Sequence, residues 1–186
     1  MNRERLYRLL EEKNILTREE STFLRIIHSR VYFHVNGKKY YFRNGVHQGS
    51  PISPALFNIY IEDAMQRVKE WGCSDKQLWY KLYADDLVLI TDHRHIQELI
   101  DVLFSVSEDY NLKVNEKKSA ILCVQGHSKV AEASIRGIPV KEDYTYLGVQ
   151  IDKFGSISSH LDRIIQRSNY LRAKMKYFVR DLSFQN

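Results

Sequence analysis

Residues 78–90 read LWYKLYADDLVLI, an almost continuously apolar run interrupted by Lys81 and by Asp85-Asp86 in its middle. The run reads as strand, tight turn, strand, with the two aspartates at the tip. Adjacent carboxylates repel each other, and desolvation makes the repulsion worse. A fold accommodates them where they face water in a turn, or where a cation neutralises them. Read alone, an Asp-Asp pair is an ordinary acidic turn. Held between two buried arms, it becomes a fixed pair of hard oxygen ligands of the kind that suits Mg²⁺.

Upstream of this run, Gln48-Gly49-Ser50-Pro51-Ile52-Ser53-Pro54 leads into a helix. Ser53 suits the N-cap, and Pro54 suits the first helical position, where its missing N–H costs nothing. Phe57, Tyr60, Ile61, Ala64, Met65, Val68 and Trp71 trace one helical face, and Gly72 suits the stop. The segment reads as a loop and cap, or as backbone that Gly49 lets a nucleotide or template approach closely.

Downstream, a helix covers 96–110, with Leu99, Ile100, Leu103 and Val106 inside. Asn115-Glu116-Lys117-Lys118-Ser119 follows. It reads as a solvated turn or, beside a phosphate, as a source of a lysine that stabilises charge or supplies a proton. Short strands are expected near Lys113-Val114, over 120–124 and over 144–151. The last contains Tyr146-Leu147-Gly148, which alone carries almost no information. A helix over 158–179 would turn Leu161, Ile164, Ile165, Leu171, Met175 and Phe178 to a core, and Arg163, Arg167 and Lys174 to the other side.

Toward the N-terminus, Leu6, Leu9 and Leu10 give residues 2–13 helical spacing. Thr17 with Glu20 forms a capping box that opens a second helix, whose apolar face would be Phe23, Leu24, Ile26 and Ile27. RVYFHV and KKYYFRN flank Asn36-Gly37, a strong hairpin signal because both turn residues tolerate positive φ.

The 186 residues make one domain, or one domain with an appended element, and 44% hydrophobic content is enough for a sizeable core. A net charge of +5 favours an anionic partner such as nucleic acid, and the Tyr and Phe residues could pack a core or stack on bases. Cys73 and Cys123 form no short motif and suit buried thiols in a reducing compartment. His93 and His95 lack companions for zinc and read as solvated helix-start residues. No apolar run approaches the ~18 residues of a membrane span. The opening stretch has no signal-peptide core, so an intracellular chain is expected, with nucleus, cytoplasm and organelle all open.

Four segments acquire meaning from their order and spacing: 37 positions separate Gln48 from Asp85, and 30 separate Asp85 from Asn115. Together they resemble motifs B, C, D and E of reverse transcriptases, most closely those of non-LTR retrotransposons and group II introns. In that lineage G-V-x-Q-G-x-P-x-S-P-x-L-F-N precedes Y-A-D-D, then N-x-x-K-[ST], then Y-L-G. This chain has GVHQGSPISPALFNIYI, YADDLVLI, NEKKS and YLGVQI.

The resemblance implies an α+β fold: an antiparallel palm sheet with packed helices, plus the start of a helical thumb. Residues 1–46 would lead in through helices and a hairpin, 47–155 would form the palm with motifs B to E, and 156–186 would begin the thumb. By position, Asp85 would be a metal ligand and Asp86 a second, less essential carboxylate, with Mg²⁺ as cofactor. Tyr83 and Ala84 would lie under the primer end. Gln48, Gly49 and Pro51 would border the template and incoming nucleotide. Lys118 would approach the nucleotide phosphates, and Tyr146, Leu147 and Gly148 would form the primer grip. Arg163, Arg167 and Lys174 would face the duplex backbone, or simply form a solvated face. The implied partners are an RNA template and a primer strand.

One family element has no counterpart. Motif A supplies a second aspartate on an earlier strand, yet no Asp precedes Asp63, and Glu4, Glu11, Glu12, Glu19 and Glu20 all sit in helical or capping contexts. The fingers have no counterpart either, and Met1 falls roughly where the chain would leave motif A. Without that carboxylate the metal pair cannot be held, so the expectation is that this polypeptide alone does not polymerise. Three readings follow. The chain is one piece of a reverse transcriptase whose motif A lies on another polypeptide; or a noncatalytic scaffold or RNA-binding subunit of a larger assembly; or a basic α+β interaction domain. Whether the product is DNA or RNA is not legible, because the sugar gate belongs to the absent segment.

Overall fold

The computed structural model describes residues 1–42, 44–72, 78–124 and 133–183. They fall into two compact units, Met1–Val114 and Asn115–Asn186. Helices mix with small, mainly antiparallel sheets, so the class is α+β.

The first unit is built on four helices: α1 (Arg3–Glu12), α2 (Arg18–Ser29), α3 (Ser53–Gly72) and α4 (Ile96–Asp109). Asn2 caps α1 by accepting from the Glu4 and Arg5 amides, and the Thr17–Glu20 capping box opens α2. Leu6, Leu9 and Leu10 of α1 meet Leu56, Tyr60, Ala64, Met65 and Val68 of α3, with Leu99, Leu103 and Val106 of α4 completing the core. Burying these side chains is the main source of stability. Fully buried Tyr60 keeps its hydroxyl satisfied, donating to the Tyr110 carbonyl at 2.7 Å and accepting from the Asn2 amide at 3.2 Å.

Two hairpins complete this unit. Strands β1 (Tyr32–Val35) and β2 (Lys38–Tyr41) pair antiparallel around Asn36 and Gly37, whose φ angles are +48° and +76°. Strands β3 (Trp79–Tyr83) and β4 (Asp86–Ile90) carry the aspartates.

Several expectations need correction here. The α2 face that packs inward is Ser21, Leu24 and His28, while Phe23, Ile26 and Ile27 are exposed. The neighbouring α1 offers Glu11 to the Ser21 hydroxyl and the Tyr7 hydroxyl to His28 Nδ1, so polar partners select the face. Leu56 rather than Phe57 enters the core. Ser53 is the first residue of α3, and its hydroxyl donates to the His47 carbonyl at 2.6 Å instead of capping the helix. Lys113-Val114 forms no strand. Trp71 and Cys73 lie outside the described side chains.

The second unit holds a three-stranded sheet, β5 (Ile121–Leu122), β6 (Ser134–Ile135) and β7 (Ile138–Lys141), in the order β5-β7-β6. The β5–β7 pairing is parallel, unlike the antiparallel sheet expected throughout. The single strand expected over 144–151 is instead a hairpin, β8 (Asp143–Tyr146) and β9 (Val149–Asp152), turning at Leu147-Gly148. Helix α5 (Ser158–Ser183) lies where a helix was predicted. Its stripe of Leu161, Ile164, Ile165, Leu171 and Met175 is exposed rather than packed, because no other described element of this unit covers it; Phe178 lies outside the described side chains. Cys123 is a half-buried free thiol. Among the described residues no helix is long and apolar enough to cross a membrane.

Candidate active site at the aspartate hairpin

The register of β3 and β4 sets the geometry of the tip. Tyr83 pairs with Asp86 and Leu82 with Leu87, leaving Ala84 and Asp85 as a two-residue turn. Side chains alternate along each strand, so the pairs sort into two faces. Tyr80, Leu87 and Leu89 pack against the helical core. The Tyr80 hydroxyl donates to Glu62 of α3 at 2.7 Å, tying the arm down. That bond to a carboxylate, helped by burial, pushes the phenol up to about 12.

The opposite face is open. It carries Trp79, Tyr83 and Ile90, each more than half exposed, and ends at Asp86. The expectation that both arms are buried is therefore corrected: each arm packs on one face and is bare on the other. Among the described residues, β3 and β4 pair only with each other. Asp85 and Asp86 are both exposed, Asp85 in the turn and Asp86 at the head of β4.

The turn is strained. Ala84 has φ +53°, a region that costs an L residue with a Cβ roughly 1–2 kcal/mol. Among the described residues six non-glycine residues have positive φ; three are asparagines, which tolerate it, and the others are Ala84, Arg136 and Leu147. Ala84 and Leu147 both belong to segments singled out from the sequence. Strain of this kind persists only where surrounding structure enforces it, and it concentrates at functional sites.

The other candidate residues are placed as follows. Gln48, Gly49 and Pro51 lie exposed on the loop that enters α3. Gly49 has φ +89°, and a Cβ there would meet nothing within 4 Å, so its glycine answers to backbone conformation and the space beside it is open. In the second unit, Lys118 ends a 3-10 turn capped by Asn115, with its side chain exposed and its carbonyl accepting from the Tyr144 hydroxyl. Tyr146 is half-buried, and Leu147 and Gly148 form the exposed β8–β9 turn with φ of +47° and +82°. Arg163 donates to the Gln150 side chain, Arg167 is exposed, and Lys174 sits 5.3 Å from the Tyr170 ring. The hairpin thus brings Tyr83, Ala84, Asp85 and Asp86 together, whereas Lys118, the 146–148 turn and the α5 cations belong to the other unit.

One residue escaped the sequence reading. Arg3 is 8% exposed and donates from Nε to the Gly45 carbonyl at 2.7 Å, and from Nη1 to the carbonyls of His28 at 3.0 Å and Phe42 at 2.6 Å. It fastens the exit of the β1–β2 hairpin and the start of the Gln48 loop to α1. In sequence it looks like any solvated arginine beside a helix start, and only the tertiary position of three carbonyls reveals it.

The model of the family described as "Reverse transcriptase (RNA-dependent DNA polymerase)" matches residues 5–151. The chain belongs to the reverse transcriptase family. That span includes the hairpin, the Gln48 loop, Lys118 and the 146–148 turn. This reverse transcriptase chain is similar to the RNA-directed DNA polymerase from mobile element jockey of Drosophila melanogaster, with 24% identity over 145 residues, 73% of this chain and 16% of that protein. It is also similar to the retrovirus-related Pol polyprotein from type-1 retrotransposable element R2 of Popillia japonica, with 28% identity over 131 residues, 65% of this chain and 20% of that protein. These relatives are non-LTR retrotransposon polymerases. The chain spans a fifth or less of the length of either relative. No solved structure matches it.

Reverse transcriptases bind an RNA template and a primer and generally use Mg²⁺. The donors at the hairpin tip suit such a hard cation in kind, since both are carboxylates. They fall short in number: among the described residues no group of three or more His, Cys, Asp or Glu is placed to hold a metal.

Proposed function

We propose that this chain forms the primer-terminus side of an RNA-directed DNA polymerase, with Asp85 and Asp86 as half of a metal-binding carboxylate set. The observation that carries the proposal is the strained two-residue turn at Ala84-Asp85, with Tyr83 and Asp86 as its closing pair. A hairpin that holds adjacent carboxylates on a fixed, open tip presents them to a ligand instead of burying them.

In this reading residues 47–155 serve as palm and 156–186 begin the thumb. Tyr83 and Ala84 support the primer end. Gln48, Gly49 and Pro51 line the path of template and incoming nucleotide, and Gly49 leaves room for it. Lys118 faces the nucleotide phosphates, Tyr146, Leu147 and Gly148 steady the primer, and Arg163, Arg167 and Lys174 meet the duplex backbone. A Mg²⁺ ion, when bound, supplies Lewis-acid charge to nucleotidyl transfer. The two aspartates cannot hold a metal pair unaided, and among the described residues no third ligand joins them, so in this reading a third carboxylate comes from another polypeptide. The bare Trp79–Tyr83–Ile90 face and the unpaired strand edges beside the aspartates suit such a partner.

Primer extension tests this. Residues 1–186 alone should give no product; mixed with a polypeptide bearing an apolar, Asp-containing strand of the motif A type, they should extend a primer, and Asp85→Ala should abolish the extension. The shortage of a third carboxylate also favours a second reading, a noncatalytic scaffold or RNA-binding subunit. That reading gains if the chain purifies in a stable assembly whose function Asp85→Ala leaves unchanged.

A further inference from the structure

The β1–β2 hairpin is exposed at every position of both strands, and this is the feature the proposed active site does not use. A two-stranded hairpin bare on both sides is marginal in water and gains from a ligand. Its register places Tyr32 opposite Tyr41 and His34 opposite Lys39, so these four side chains share one face. On that face the Tyr32 and Tyr41 rings lie 5.8 Å apart, and Lys39 Nζ sits 4.7 Å from the centre of the Tyr32 ring. Lys38, paired with Val35, falls on the opposite face.

The electrostatic setting is one-sided. Between Ser21 and Ile61 the chain holds five Lys and Arg residues and not one Asp or Glu. Arg25, one of the five, is paired with Glu4 and Glu11, but among the described residues Lys39, beside the rings, has no acid partner. Flat aromatic rings next to such a cation match a single-stranded polyanion whose bases can stack. A protein segment docking here would be expected to bring acids of its own, whereas a nucleic acid supplies phosphate and ring face together.

We propose that the Tyr32/Tyr41 face of this hairpin is an accessory site for single-stranded nucleic acid, separate from the aspartate hairpin. Bases stack on Tyr32 and Tyr41, and Lys39 contacts the phosphates.

The test uses residues 1–186 and a fluorescent single-stranded oligouridylate with no primer end, read by anisotropy across a salt series. Because no primer terminus is present, the result does not depend on the roles of Asp85 and Asp86. Tyr32→Leu with Tyr41→Leu should weaken binding about thirtyfold or more, while Tyr32→Phe with Tyr41→Phe, which keeps both rings, should retain it. Lys39→Gln should reduce the slope of log affinity against log salt by about 0.7, the value for one lost phosphate contact on a single strand. Unchanged affinity in the leucine variant, or an unchanged salt slope in the glutamine variant, would overturn the proposal; the face would then be left to a protein partner.

Discussion

Replacing Arg3 with Met tests how the Gln48 loop is held. Arg3 serves three carbonyls from a nearly buried position. The His28 carbonyl lies in a buried contact and cannot recruit water, so its loss as an acceptor costs about 1–3 kcal/mol. The Phe42 and Gly45 carbonyls are part-buried and lose about 1 kcal/mol each. Against this, Arg3 Nη2 is itself buried without a partner, a penalty that the substitution relieves. The net expected loss is about 3 kcal/mol. With a urea dependence of about 2 kcal/mol per M, the unfolding midpoint should fall by about 1.5 M, followed by circular dichroism. Well below that midpoint, amide exchange should quicken over residues 45–53 before it quickens in α1 or α3. A midpoint shift under about 0.3 M, an amount typical of a solvated surface change, would show that Arg3 does not anchor the loop.

Three further outcomes are expected. The folded chain holds the Tyr80 proton to about 12 while the unfolded chain releases it near 10, so stability is flat below that window and falls as pH rises through it; Tyr80→Phe should reduce that alkaline loss in urea titrations at stepped pH. Thr17→Ala removes the capping box of α2 and should cost about 1 kcal/mol in the same assay. Leu10→Ala empties a fully buried site between α1 and α3 and should cost about 3 kcal/mol, several times the effect at exposed Phe23.

Local chemistry was legible in this sequence, and tertiary coverage was not. Asn36-Gly37 announces its turn because both residues accept positive φ, and Thr17 with Glu20 announces a helix start because the pair satisfies free amides. The aspartate hairpin was readable for a similar reason: two carboxylates inside an apolar run have few places to sit except a tip. The 147–148 turn was hidden because leucine is a poor residue for φ +47°, so YLGVQI looks like one strand. The β6–β7 hairpin turns at Arg136-Gly137, another weak signal. Helix faces failed differently. Periodicity shows which side of a helix is apolar, but not whether anything covers it, so the stripes of α5 and of Phe23, Ile26 and Ile27 were assigned to a core, whereas they are exposed among the described residues. Arg3 carried no local signal at all. The roles of Lys118, the 146–148 turn and the α5 cations rest on resemblance by position, since they lie in a unit separate from the aspartates.

The most direct measurement is paramagnetic broadening by Mn²⁺, used in place of Mg²⁺ and titrated into the isotope-labelled chain. The account predicts that the amide signals of Ala84, Asp85, Asp86 and Leu87 broaden first, and that Asp85→Asn combined with Asp86→Asn abolishes this. If broadening begins elsewhere, or persists at the tip after both substitutions, the carboxylates at the hairpin tip are not a metal-binding pair.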